Sequence, residues 1–115
     1  MKATIYHNPM CGTSRKTLEI LRDSGCDVWV QEYLKNPPSK DELKSLYKRA
    51  GISPREGLRT RESLVEELEL LRPDVTDDEI LDAMVANPIL IERPIVIRGD
   101  KAVIGRPPER LLELL

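Results

Sequence analysis

The 115-residue sequence contains no phenylalanine, one tryptophan, three tyrosines, one histidine and two cysteines. Two cysteines cannot build a disulfide scaffold, and together with one histidine they fall short of a four-ligand zinc site, so no metal is expected. No window approaches the ~20 apolar residues of a membrane span, and no membrane role is expected. Neither sign of charge prevails, since 18 Lys and Arg against 20 Asp and Glu leave a formal net charge of -2. The broad cationic field of a nucleic-acid binder is therefore missing, and any anion site must be local. The first residues, Met1-Lys2-Ala3-Thr4-Ile5-Tyr6-His7, lack the apolar run and small-residue cleavage site of a secretory signal, which leads us to expect a cytoplasmic location with reduced thiols.

What is present is aliphatic. Hydrophobic residues make up 40% of the chain, enough for one sizeable core, and a single domain over 1–115 is expected. Residues 3–7 read as a strand, broken by Asn8-Pro9-Met10-Cys11-Gly12. A helix is predicted from Thr13 or Ser14, with Thr17, Leu18 and Leu21 on one side and Gly25 as its stop. Residues 28–33 read as the next strand, and a strand, helix and strand in about thirty residues form a right-handed parallel unit.

A helical segment is then predicted over about 39–87. Asn36-Pro37-Pro38 connects to it, and Ser39-x-x-Glu42 has the capping-box spacing before Leu43, Leu46, Tyr47 and Ala50. Gly51 closes that helix. A loop over 52–59 precedes a third helix carrying Leu64, Val65, Leu68 and Leu71. Thr76-x-x-Glu79 caps a fourth, with Ile80, Leu81, Met84 and Val85, stopped by Asn87-Pro88. Residues 94–98 and 101–104 flank Gly99-Asp100, a two-residue loop suited to a primed hairpin turn. Pro107-Pro108 begins a last short helix with Leu111, Leu112, Leu114 and Leu115. The order, βαβ, then helices, then ββα, is thioredoxin-like: an α/β fold on a four-stranded mixed sheet with an inserted helical segment.

Chemistry concentrates at Cys11, where the first strand gives way to the first helix. Free amide N–H groups and the positive end of the helix dipole favour a thiolate there, and cysteines so placed can have pKa values lowered from ~8.5 to ~3.5–7.5. His7 and Arg15, four residues away on either side, are candidates to add positive charge. Asn8 and Ser14 are candidates for holding the loop or donating to an anion. Cys11-Gly12-Thr13-Ser14 is Cys-x-x-Ser, so no local dithiol can form. Cys26 lies at the far end of a helix rising ~1.5 Å per residue, beyond the ~4.4–6.8 Å Cα separation of a disulfide, and is expected to be structural. A phosphatase-type loop would need an arginine six residues after the cysteine; that residue is Thr17.

An anion attacked by a thiolate must have its charge neutralised, for which arginine's planar fork is suited. Eleven of the eighteen basic residues are arginine. Three stand out by position: Arg59 at the end of the central loop, Arg93 before Pro94, and Arg106 before Pro107-Pro108. In a thioredoxin-like order the residue before the third strand lies beside the cysteine loop, which favours Arg93. Pro94 is a candidate for a cis peptide at that point.

Tyr6-His7-Asn8-Pro9-x-Cys11-Gly12-Thr13-Ser14-Arg15, Tyr33-Leu34 with Pro37-Pro38, and Ile89-Leu90-Ile91-x-Arg93-Pro94-Ile95-Val96 resemble the glutaredoxin-coupled arsenate reductases, the ArsC family, essentially end to end. The resemblance implies Cys11 as nucleophile with His7 near its sulfur, and arsenate held by Arg59, Arg93 and Arg106, with Arg61 as the alternative to Arg59. It also implies no bound cofactor, glutathione as co-substrate and glutaredoxin as partner. Two other readings fit the same scaffold. One is a glutathione-dependent thiol oxidoreductase that does not use the arginine trio; the other is a redox regulator similar to the Spx-type proteins that bind RNA polymerase, although those typically carry Cys-x-x-Cys.

Overall fold

The computed structural model describes residues 2–115, which form two compact units. The first runs to Asn36 and resumes over Arg93–Leu115; the second is Pro37–Glu92. No helix among the described residues is long and apolar enough to cross a membrane.

The first unit holds β1 (Lys2–His7), α1 (Gly12–Asp23), β2 (Asp27–Glu32), β3 (Ile95–Arg98), β4 (Lys101–Ile104) and a 3₁₀ segment, Pro108–Leu114. The sheet order is β2-β1-β3-β4. β1 and β2 are parallel, with Ile5 opposite Val30 and His7 opposite Glu32. β3 runs antiparallel to β1 and β4 antiparallel to β3. The expected α/β fold, with βαβ followed by ββα on one mixed sheet, is the observed one. Alternation on β1 sends Ala3 and Ile5 to the face where they meet Leu18 and Leu21 of α1, Val96, Val103, Leu111 and Leu114. This aliphatic layer fixes α1, and with it Cys11, against the sheet.

Some boundaries differ from the expected ones, each for a local reason. Helix α1 begins at Gly12 because Cys11 takes the extended N-cap conformation, φ -97° and ψ 121°. β2 ends at Glu32, so Tyr33 leaves the ladder and is buried. The last helix is a 3₁₀ segment in which Leu111 and Leu114 are buried while Leu112 and Leu115 are exposed. Its three-residue turn eclipses positions i and i+3, so only that pair can share the core face. Gly99, at φ +62°, occupies the first loop position of the β3–β4 hairpin, as a primed turn requires.

The second unit comprises α2 (Lys40–Ala50), α3 (Ser63–Glu67), α4 (Asp77–Ala86) and a 3₁₀ turn, Pro88–Leu90. The Ser39 hydroxyl accepts from the Glu42 N–H at the start of α2, while Thr76 and Glu79 close both halves of a capping box at α4. Lys40 bridges Asp78 and Asp82 of α4, each at 2.9 Å. α3 is shorter than the apolar spacing suggested. Glu69 enters the left-handed region at φ 55°, its N–H donates to the Glu66 carbonyl, and the Leu70 N–H donates to the Val65 carbonyl. That is a Schellman stop. It turns Val65 and Leu70 inward and leaves Leu68 and Leu71, expected on the core face, exposed.

Tyr47 is buried, and its hydroxyl donates to Met84 Sδ at 3.5 Å. Gly57 packs so closely on this ring that a Cβ there would overlap it. The Gly57→Ala variant is expected to lose about 1–3 kcal/mol of stability through overpacking. Urea denaturation measures this, and an unchanged midpoint would mean that the ring moves aside freely.

Candidate active site

The site grows from the break after β1. Asn8 Oδ1 accepts from the Met10 N–H at 3.0 Å, and the Asn8 carbonyl accepts from the Cys11 N–H at 3.0 Å. This turn reverses the chain and delivers Cys11 as the N-cap of α1, half-buried. Its side chain closes no full capping hydrogen bond, yet the Ser14 N–H is directed at the sulfur closely enough to favour its ionised form.

Two arginines complete the sulfur's surroundings. Arg106 Nη2 lies 3.4 Å from Cys11 Sγ, and its Nε donates to the Arg93 carbonyl at 2.7 Å. Arg93 itself engages Cys11 through its guanidinium. Both arginines precede cis prolines, at Arg93-Pro94 and Arg106-Pro107, and the Gly105 N–H donates to the Pro94 carbonyl at 2.9 Å. The first unit therefore brings Cys11, Arg93, Arg106 and Pro94 together from opposite ends of the chain. Burial alone would push the Cys11 thiol up. The Ser14 N–H, the Arg93 hydrogen bond and the charges of Arg106 and Arg93 outweigh it, and the pKa falls below the ordinary thiol value.

Ser14 and His7 have another task. Ser14 is fully buried; its hydroxyl meets His7 Nδ1 at 2.6 Å and accepts from the Asn8 N–H at 3.1 Å. Ser14 thus ties the strand end to the helix start. The pKa of His7 is lowered, chiefly by burial, with Glu32 opposing and Arg22 and Arg15 assisting. The shift works against the positive charge that His7 was a candidate to add. Arg15 donates to the Pro9 carbonyl at 2.8 Å. The cationic environment of the sulfur comes from Arg93 and Arg106.

Arg59 belongs to the second unit, where Glu62 Oε1 at 3.1 Å and Glu92 Oε1 at 3.2 Å hold its guanidinium. Its N–H donates to the Leu90 carbonyl at 2.8 Å. Arg61 is the more exposed of the two, 3.8 Å from Glu92. Cys26 packs against the core of the first unit and accepts from the Ser24 hydroxyl at 3.3 Å. Among the described residues no group of three His, Cys, Asp or Glu side chains could hold a metal ion.

Tyr33 is a site residue that pattern reading missed. It is 1% exposed, and its phenol lies against Arg93. Burial would lower the Arg93 pKa, but Tyr33 and Cys11 together raise it, so the guanidinium stays charged. In sequence Tyr33 is only a tyrosine closing a strand, a weak signal.

A thioredoxin-like unit that sets a helix-capping cysteine of lowered pKa beside two guanidiniums has the fold and the local charge pattern of an oxidoreductase domain. More narrowly, the chain belongs to the ArsC family, which residues 6–114 match. It is 46% identical to an arsenate reductase of Rhizobium meliloti (strain 1021) over 100% of this chain and 82% of that one. It is 45% identical to an arsenate reductase of Haemophilus influenzae, with 100% of both chains covered. A solved arsenate reductase from Vibrio cholerae superposes with a TM-score of 0.97 at 45% identity, covering 100% of this chain and 98% of that one.

The thiolate is open to titration. The rate of Cys11 alkylation by iodoacetamide is expected to rise through an inflection below the ordinary thiol range and to inflect higher in Arg93→Ala and Arg106→Ala. Tyr33→Phe should move it the same way by less, with the fold intact by circular dichroism; an unmoved inflection in all three would remove the guanidiniums from the account. Stability should follow. Because the folded pKa is the depressed one, the contribution of Cys11 is present above its unfolded pKa and lost as pH falls through the folded value. Thermal melts of Cys11→Ser should lack that pH-dependent component.

Proposed function

We propose that this chain is an arsenate reductase whose electrons come from glutathione and glutaredoxin. The observation that carries the reading is the 3.4 Å approach of Arg106 to Cys11 Sγ, with Arg93 alongside, in a chain about half identical to arsenate reductases. A thiolate and two fixed guanidiniums suit a tetrahedral oxyanion, neutralising its charge while leaving the central atom open to attack. By family resemblance Arg59 is the third arginine of the trio. Asn8 and Ser14 hold the loop, and His7, kept neutral, leaves the hydrogen-bonding rather than the charge of the site to be tuned.

The reaction begins with attack of the Cys11 thiolate on arsenic. A sulfur–arsenic bond forms, an arsenic–oxygen bond breaks, and hydroxide or water leaves. Glutathione thiolate then adds to the same arsenic and displaces a second oxygen as water. Glutaredoxin thiolate attacks the glutathione sulfur; that sulfur–arsenic bond breaks, and its electron pair stays on arsenic, which becomes trivalent. The glutathione leaves on glutaredoxin as a mixed disulfide. Hydrolysis of the remaining Cys11–arsenic bond releases arsenite and restores the thiol.

Each reducing thiol is external because the chain offers none within reach of Cys11. Ser14 stands where a second redox cysteine would, and Cys26, at the far end of α1, packs against the core of the first unit. No bound cofactor is needed, and the cytoplasm is the compartment that keeps such thiols reduced. With glutathione, glutaredoxin and glutathione reductase present, arsenate should trigger NADPH consumption that Cys11→Ser abolishes. Arg93→Ala should cut kcat/KM for arsenate about 100- to 1,000-fold, as for loss of an oxyanion donor. No arsenate-dependent rate in the wild type would reject the substrate, and turnover of small disulfides that survives Arg93→Ala would point to general thiol exchange instead.

A further inference from the structure

Where α1 meets the segments that carry the two arginines, three residues touch with no room between them. A Cβ on Gly105 would lie 3.0 Å from Thr17 Oγ1, 3.2 Å from Thr17 Cγ2 and 3.1 Å from Pro94 Cγ, against ~3.5–4.0 Å for carbon atoms in comfortable contact. The φ of Gly105 lies outside the left-handed region, so its backbone suits any residue and space alone calls for glycine there. Thr17 is fully buried, and its hydroxyl donates to the Thr13 carbonyl at 2.9 Å. That bond fixes the rotamer in which both branches of the side chain abut Gly105.

Each of the three is tied to a member of the site. Thr17 stands on α1, six residues after Cys11, while Pro94 follows Arg93 and Gly105 precedes Arg106. The Gly105 N–H donates to the Pro94 carbonyl at 2.9 Å, and Arg106 Nε donates to the Arg93 carbonyl at 2.7 Å, so the two arginine segments form one piece. The approach of that piece to the helix bearing the sulfur is stopped where Gly105 meets Thr17. We propose that Gly105 and Thr17 are positioning residues, whose close approach sets how near the guanidiniums of Arg93 and Arg106 come to Cys11. A side chain at 105 must push the arginine segments away from α1, and with them the Arg106 Nη2 that lies 3.4 Å from Cys11 Sγ. The inference concerns the sulfur and its cations and does not rest on which anion they serve.

Alkylation by iodoacetamide, followed on the Cys11 peptide by mass spectrometry, tests this without arsenate. In Gly105→Ala the pH inflection of the rate should rise toward that of Arg106→Ala. Below the wild-type inflection the rate should fall by roughly three- to tenfold, as the thiolate fraction drops when the cations step back. Adding Thr17→Ala removes both atoms on the helix side of the contact, lets the new methyl move off Pro94 and roughly conserves volume; the double variant should return to the wild-type inflection. A Gly105→Ala protein that is folded by circular dichroism and has an unmoved inflection would overturn the proposal. A raised inflection that Thr17→Ala leaves in place would do the same, since the effect would not pass through this contact. If Gly105→Ala does not fold, the double variant decides: an inflection near that of the wild type supports the junction, and one as high as that of Arg106→Ala overturns it. Absence of arsenate turnover in the wild type would reject the substrate and leave this result standing.

Discussion

The site turns on one sulfur whose ionised form is favoured although it is half out of water. Burial works against that charge, and the first turn of α1 offsets it only in part, since the Cys11 side chain closes no full capping hydrogen bond. The balance turns on two guanidiniums. Arg106 reaches Sγ at 3.4 Å with its Nε already fixed on the Arg93 carbonyl, so the cations do not have to be ordered when an anion arrives. Preorganised charge of this kind is what transition-state stabilisation requires.

Several features that look unrelated serve this arrangement. The aliphatic layer of Ile5, Leu18, Leu21, Val96 and Leu111 sets α1 on the sheet and so sets the height of Cys11. β3 lies beside β1, with Val96 opposite Ile5, and that neighbourhood places the residue before β3 next to the loop after β1. The buried Ser14 hydroxyl joins His7 to Asn8 and keeps the loop from drifting. Occupying the position of a second thiol with this hydroxyl does more than remove a redox partner: it converts that position into a brace.

The family match and the geometry bear on different levels. Membership in the ArsC family speaks for the reaction, because relatives about half identical carry that activity in their names. The geometry speaks for what each of these side chains touches. His7 braces the loop through the Ser14 hydroxyl, Arg15 faces the Pro9 carbonyl, and Tyr33 lies against Arg93. The second unit is a helical layer with its own core around Tyr47 and Met84, in which Arg59 sits between Glu62 and Glu92.

Local order was legible in the residues alone. Glycines and prolines punctuate the strands, Ser39 and Thr76 announce the helix starts, and Gly99-Asp100 announces the hairpin, because each acts through its own backbone or its nearest neighbours. The placement of Cys11 at the start of α1 belongs to the same level, since its setting is the strand-to-helix break a few residues wide. The exceptions were also local but hidden: Glu69 adopts a left-handed stop that glycine usually marks, and the last leucines follow a three-residue rather than a four-residue turn. Whether Arg93 and Arg106 meet the sulfur, whether His7 keeps its proton and what lies behind Arg93 were settled by tertiary structure. Those are questions of distance and burial between residues far apart in the chain, up to 95 positions for Cys11 and Arg106, and electrostatic free energy depends on that separation in space and on the water excluded between the groups, neither of which a linear pattern records.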